Sequence, residues 1–193
     1  MEISKLAWLC NEIHEERLPG HSKEFWSGSI NWAVCDGVLV FSGTNAIQDW
    51  FVSGNFLPRR SPTGPGWVHG GFLGITLAVW AALKQLTLGG DRISLVTGYS
   101  LGGALAMLAG ECLKNVEVVT FACPEIGSLA WARRYPHASI HFSRQPDLVT
   151  GLLPGYCRPG VEAQQQGLWN FVRNHLGALE GWGAIDHSLF LAR

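Results

Sequence analysis

The stretch LVTGYSLGGALAMLA, residues 95–109, decides the fold. Its first half extends the run RISLVTG, which reads as a continuous, mainly apolar strand, as expected of a parallel strand buried on both faces. Its second half is rich in Ala and Leu and reads as a helix. At the junction stands Gly98-Tyr99-Ser100-Leu101-Gly102, a serine between glycines. A strand that turns sharply into a helix leaves no room for a Cβ two residues before or after the turning serine, and Gly98 and Gly102 meet that demand. The helix beginning after Ser100 aims its first N–H groups and its dipole at the same point, which favours developing negative charge. The pattern predicts a serine held out as a nucleophile rather than a flexible linker.

The flanking sequence repeats the alternation. NWAVCDGVLVFSG, residues 31–43, reads as two strands joined at the hairpin dipeptide Asp36-Gly37. LPRRSPTGPGWVHGG reads as a Pro/Gly-rich loop, and GGFLGITLAVWAALKQL as a helix stopped by Gly89-Gly90. VEVVTFACP is a second buried strand, SLAWARRYP a short helix, and ASIHFSRQPDLV a strand running into a loop. GYCRPGVEAQQQG offers a weak edge strand, and LWNFVRNHLGALEG a final helix-like stretch. An amphipathic helix opens the chain and ends near Leu18. Strands alternating with helices predict a mostly parallel sheet with helices on both faces, its functional groups beyond the carboxyl ends of the strands. At 193 residues the chain is read as one domain.

Composition narrows the function. The 14 Lys+Arg balance 15 Asp+Glu for a formal charge of −1, and no basic stripe appears, so nucleic acid is not an expected partner. No run reaches the ~20 apolar residues of a membrane span. Glu2 and the charged run from Glu12 to Arg17 do not suit a general signal peptide, so the expected location as synthesised is the cytoplasm, with a dedicated secretion route still open. The five cysteines (Cys10, Cys35, Cys112, Cys123 and Cys157) are widely spaced and form no CxxC pair, which fits buried thiols better than a zinc site or disulfide framework. Scattered acids suggest no calcium loop. No metal and no cofactor are expected.

A serine hydroxyl needs a base, and in elbow-bearing enzymes the acid and histidine follow the nucleophile in the order Ser, Asp/Glu, His. The Asp residues after Ser100 are Asp147 and Asp186. Asp147 lies just past a predicted strand, whereas Asp186 adjoins His187 and is poorly placed to orient it. Of the histidines after Ser100 (His137, His141, His175 and His187), only His175 and His187 follow Asp147. His175 falls in a helix-like stretch and His187 in a loop, where a base can reach over the sheet. The expected triad is Ser100, Asp147 and His187.

These blocks together resemble the class 3 lipases, the α/β-hydrolase group that includes the fungal triacylglycerol lipases. VFSGTNAIQDW is similar to that family's F-R-G-T/S segment with a later D/N-W, and VHGGF to V-H-x-G-F. TGYSLGGALA is similar to G-H-S-L-G-G-A-L-A, and TFACPEIGS to T-F-G-x-P-R-V-G. RQPDLVTGLLP resembles N-x-x-D-x-V-P-x-L-P, and DHSLFL the terminal His segment. The resemblance implies a small α/β-hydrolase with catalytic Ser100, Asp147 and His187. It implies an oxyanion hole from the N–H groups of Thr44 and Leu101, and ester hydrolysis through an acyl-enzyme. Ser42 stands at the family's arginine, Tyr99 at its histidine, Cys123 at a glycine, Glu125-Ile126 at Arg-Val, and Thr150 at a proline.

Further expectations concern substrate and surface. Ile47, Trp50 and Phe51 are candidates for a lid or acyl-pocket wall, the alternative being packing on the domain. The other tryptophans (Trp8, Trp26, Trp32, Trp67, Trp80, Trp131, Trp169 and Trp182) divide between buried structure and an interfacial belt. His69 precedes Ser100 and is expected to organise loops near the strand ends. Arg59-Arg60 and Arg133-Arg134 are read chiefly as solvated surface, with phospholipid headgroups as the alternative. The expected partner is an acyl-ester or lipid substrate, met with peripheral contact to a lipid interface, by a monomer. Alternatives are a membrane-attacking phospholipase-type effector and a non-catalytic binding protein on the same fold.

Overall fold

The computed structural model describes residues 2–18, 22–25, 29–43, 57–88, 92–142 and 155–163. In chain order the elements are α1 (Ile3–His14), β1 (Ser22–Phe25), β2 (Ser29–Cys35), β3 (Val38–Phe41), β4 (Pro58–Arg60), β5 (Trp67–His69), α2 (Gly70–Leu88), β6 (Leu95–Tyr99), α3 (Leu101–Cys112), β7 (Glu117–Phe121), α4 (Leu129–Arg133), β8 (Ser139–Phe142) and β9 (Val161–Ala163). Seven strands form one sheet in the order β1-β2-β3-β6-β7-β8-β9. The first two pairings are antiparallel, and every pairing from β3 to β9 is parallel.

Alternation of side chains along each strand builds two cores. Leu39, Phe41, Val96 and Val118 face α2 and α3, where they meet Phe72, Ile75, Leu83 and Leu105. Val38, Val40, Leu95, Val119 and Phe121 face the other way and pack with Leu6, Leu9 and Ile13 of α1. A sheet covered on both faces needs apolar side chains on both, which is why its central strands read as unbroken apolar runs. Full burial of a side chain such as Phe41 or Phe121 stabilises the fold by about 2–3 kcal/mol.

The turn at Asp36-Gly37 takes positive φ at both residues (50° and 76°), the conformation that a tight hairpin requires. The weak edge strand is β9, parallel to β8. Two expectations are corrected. Helix α1 ends at His14 rather than near Leu18. Glu16 turns left-handed, and Arg17 folds back to donate from Nη2 (2.6 Å) and Nε (2.9 Å) to Glu12. The expected Pro/Gly loop contains a hairpin, with Arg60 opposite Trp67 and Ser61 N–H donating to the Gly66 carbonyl across the turn. Its strands are only three residues long, too short for periodicity to reveal. Strand β1, SKEF, to which the sequence reading assigned no element, pairs antiparallel with β2. Among the described residues no helix is long and apolar enough to cross a membrane.

Candidate active site

Ser100 follows the carboxyl end of β6 and precedes the first residue of α3. It is buried, with φ 52° and ψ −117°. A non-glycine residue held there costs on the order of 1–3 kcal/mol, so the surroundings must impose it. They do so through backbone. The Ser100 N–H donates to the Phe121 carbonyl at the end of β7 (2.8 Å), and the Ala122 N–H donates to the Phe142 carbonyl at the end of β8 (2.8 Å). The strand ends thus form a staircase rising to the serine.

The two glycines of the elbow have distinct reasons. A Cβ on Gly98 would land on the backbone of Gly102 and Gly103. A Cβ on Gly102 would land on the carbonyls of Phe41 and Ser42, at the end of β3. Gly98 therefore permits the turn itself. Gly102 lets the end of β3 lie against the start of α3. Leu101 is the first residue of α3 and is buried. The N–H groups of Gly103 and Ala104 turn back on the Ser100 carbonyl, so the outermost donors of this helix end are those of Leu101 and Gly102. The remaining expected site residues, Asp147, His187 and Thr44, and the lid candidates Ile47, Trp50 and Phe51, lie outside the described residues.

The described histidines are otherwise engaged. His141 is buried. Its Nε2 lies 2.5 Å from the Pro159 carbonyl and must donate there, which leaves Nδ1 to accept from the Thr120 hydroxyl at 2.7 Å. His137 directs Nε2 to the Leu113 carbonyl at 2.9 Å. His69 organises loops, as expected from its place in the chain. Its backbone N–H donates to the Ile126 carbonyl (2.8 Å), and its Nδ1 accepts from the Phe72 N–H (3.3 Å) in the first turn of α2. Its ring stacks on Phe72 at 4.0 Å and meets Tyr156 edge-on. Burial pushes the His69 imidazole down to about 4, so the ring is neutral and its proton sits on Nε2.

Several contributors escaped the sequence reading. Ser42, standing at the family's arginine, ties the end of β3 to β2. Its Oγ accepts from the Asn31 N–H (3.0 Å), and its own N–H donates to the Asn31 carbonyl (2.9 Å). In the loop after β7 the left-handed residue is Ala122 (φ 47°), so the position that favours glycine is Ala122 and not Cys123. Cys123 is buried; its thiol donates to the Pro124 carbonyl (3.4 Å) and its own carbonyl accepts from Arg158. At the far end of α3, Glu111 accepts from the Ser61 hydroxyl (2.5 Å), the Thr63 hydroxyl, Trp131 Nε1 (2.9 Å) and Arg134 Nη2 (2.6 Å). Burial alone would raise the Glu111 carboxyl. The hydrogen bonds from Ser61, Thr63, Trp131 and Arg134 together outweigh it and hold the carboxyl below its usual value. The only available signal for this cluster was one charge inside the otherwise apolar helix ALAMLAGEC.

Comparison with known proteins agrees with this architecture. Lipases from Rhizopus niveus and Rhizomucor miehei are 33% and 30% identical to the chain over 147 residues, covering 65% and 64% of it. The chain spans 37% and 40% of their respective lengths. The solved structure of lipase II from Rhizopus niveus superposes with a TM-score of 0.67 at 22% identity, covering 85% of this chain and 79% of that one. A lipase–propeptide complex from Rhizomucor miehei gives 0.61 at 23% identity, covering 84% and 68%. These likenesses identify an α/β-hydrolase fold. The sequence profile described as Lipase (class 3) matches residues 38–156, more than half of the chain and the run from β3 past the elbow to Tyr156, so the chain belongs to the class 3 lipase family.

Proposed function

We propose that the chain is a serine carboxyl-ester hydrolase that acts on lipid or other acyl esters. The observation that carries this reading is the backbone at Ser100, a strained serine at the carboxyl end of a central parallel strand with a helix amino terminus beginning at the next residue. That backbone is fixed by the Ser100 N–H bond to the end of β7 and by the close approach of the end of β3 to Gly102. In this reading the strained turn serves to present the Ser100 hydroxyl for attack.

In this reading Ser100 Oγ attacks the acyl carbonyl while His187 takes the hydroxyl proton. Asp147 holds the imidazole in the required tautomer and stabilises the imidazolium. The carbonyl oxygen gains negative charge and is met by the N–H groups of Leu101 and Thr44, each such donor typically contributing about 3 kcal/mol. The tetrahedral adduct collapses, the ester C–O bond breaks, and the leaving alcohol receives the proton from His187. Water, deprotonated by His187, then attacks the acyl-enzyme and releases the acid and free Ser100.

The test is hydrolysis of p-nitrophenyl esters from acetate to palmitate by wild type and Ser100→Ala. The expected outcome is turnover by wild type and a loss on the order of 10⁵-fold in the variant at unchanged melting temperature. The chain-length optimum then separates esterase from lipase. Two folded proteins silent across the series would sink the reading and favour the non-catalytic alternative.

A further inference from the structure

The loop after β7 carries a second left-handed residue, and it is joined to Ser100 through Phe121. Ala122 has φ 47° and follows Phe121, whose carbonyl accepts the Ser100 N–H (2.8 Å). One residue on, Cys123 lies against the first turn of α3. A Cβ on Gly103 would stand 2.9 Å from the Cys123 Cβ and 3.2 Å from its Cα. The turn 121–123 therefore sets both the acceptor of the serine N–H and the surface on which the helix start rests. A non-glycine residue keeps such a backbone only where its surroundings impose it.

The amino side of this turn is held by the Ala122 N–H, which donates to the Phe142 carbonyl at the end of β8 (2.8 Å). The carboxyl side is held from a distant part of the chain. Arg158, partly buried, donates from Nη1 to the Cys123 carbonyl. Backbone fixes the place from which Arg158 reaches. The Cys157 carbonyl accepts from the N–H groups of Ile126 and Gly127 (3.1 Å each), and the Cys157 N–H donates to the Gly127 carbonyl (2.6 Å). The loop 122–127 contains no cation of its own, and Glu125 stands where the family carries arginine. Burial raises the Glu125 carboxyl, and the Arg158 charge partly offsets that rise, so the positive charge acting on this loop comes from Arg158.

We propose that Arg158 is a positioning residue for Ser100: bonded to the Cys123 carbonyl, its guanidinium keeps the turn 121–123 in the conformation that the serine N–H and the start of α3 both use. The inference rests on the reading of Ser100 as the nucleophile. A guanidinium suits the task because it is planar, permanently charged and more weakly hydrated than an ammonium, so it stays partly buried against a carbonyl. Without that bond Ala122 relaxes toward ordinary backbone and the Phe121 carbonyl turns. Ser100 then loses its fixed relation to the N–H groups of Leu101 and Gly102.

Arg158→Ala and Arg158→Lys are compared with wild type on p-nitrophenyl butyrate. In Arg158→Ala, kcat per folded molecule is expected to fall about tenfold with KM changed less than about twofold, because a displaced nucleophile slows the reaction without weakening binding. Arg158→Lys recovers only part of the rate, since an ammonium lacks the planar fork. Guanidinium chloride at tens of millimolar partly restores Arg158→Ala, and sodium chloride at the same concentration does not. A second readout needs no turnover. Amide hydrogen exchange followed by NMR is expected to be about tenfold faster at Ser100 and Ala122 in Arg158→Ala, and unchanged in the β1–β2 pairing. Unchanged kcat in an active enzyme, a loss carried by KM alone, or unchanged exchange at Ser100 overturns the proposal. A wild type silent on esters, with exchange at Ser100 still quickened by Arg158→Ala, would sink the hydrolase reading and leave the positioning intact. If Arg158→Ala fails to melt cooperatively, Arg158→Lys carries both readouts in the same directions.

Discussion

Helix α3 is held differently at its two ends. At the amino end, Ser100 and Gly102 are placed by backbone against backbone: the end of β3 lies on the first turn, and the end of β7 accepts from the serine N–H. At the carboxyl end, Glu111 is placed by side chains that arrive from the hairpin turn and from α4. The first arrangement tolerates no added atom. The second tolerates changes of shape but no loss of a partner, because a buried carboxylate without donors is costly. Precision is concentrated at the end where the candidate chemistry sits, and polar bracing at the end that carries surface elements.

That contrast can be broken by substitution. Gly102→Ala is expected to have the largest effect, because the new Cβ can be relieved only by moving the end of β3. About 3 kcal/mol of stability should be lost, and ester turnover per folded molecule should fall with it. A variant of normal stability and activity would mean that the two backbones are not in contact. Glu111→Gln should cost a similar or slightly smaller amount, about 2–3 kcal/mol, since Arg134 is partly exposed and can recover some solvation. Its melting temperature should fall by roughly 5–10 °C while turnover per folded molecule stays near wild type. A specific loss of turnover would show that the two ends are coupled.

Acid should separate the regions further. The His69 imidazole titrates near 4 when folded and near 6.5 when unfolded, so the unfolded chain binds the extra proton first. Its contribution is fully present above about pH 6.5 and is lost as pH falls toward 4, on the order of 2–3 kcal/mol. The Glu111 carboxyl is also lowered, so its contribution is present above the ordinary carboxylate range and is lost only at lower pH. Chemical denaturation across this range should show both losses. His69→Gln should remove the upper one and Glu111→Gln the lower; a single loss unaffected by either change would refute the assignment. The smallest effect is expected of Ser128→Ala. Ser128 Oγ caps α4 by accepting from the Trp131 N–H and also holds the Trp67 N–H. About 1 kcal/mol should be lost, readable as a small shift in the denaturation midpoint.

The elbow was legible because its causes are local. Two glycines two residues either side of a serine, between an apolar run and an Ala/Leu run, are sufficient to predict strand, turn and helix. The hairpin of β4 and β5 was not legible, since three-residue strands made of Pro, Arg and Trp carry no period. Nor was the exchange of the family's arginine for a Ser42–Asn31 brace, because Asn31 lies eleven residues away on a different strand. His141 and His137 were separated from the candidate bases by chain order alone. The fold adds that each is already committed to a carbonyl.

Sequence by itself determined what depends on near neighbours: the alternation of strand and helix, the apolar runs of a sheet covered on both faces, the Asp36-Gly37 turn, and the glycines around Ser100. Tertiary structure alone decided what depends on distant partners. It turned Arg134 inward while leaving Arg133 outside, gathered donors from residues 61, 63, 131 and 134 around Glu111, and made His69 neutral by burying it. The physical reason is the same in each case. A backbone turn is governed by sterics within a few residues, whereas the charge state and pairing of a polar side chain are governed by whatever the fold brings within hydrogen-bond distance.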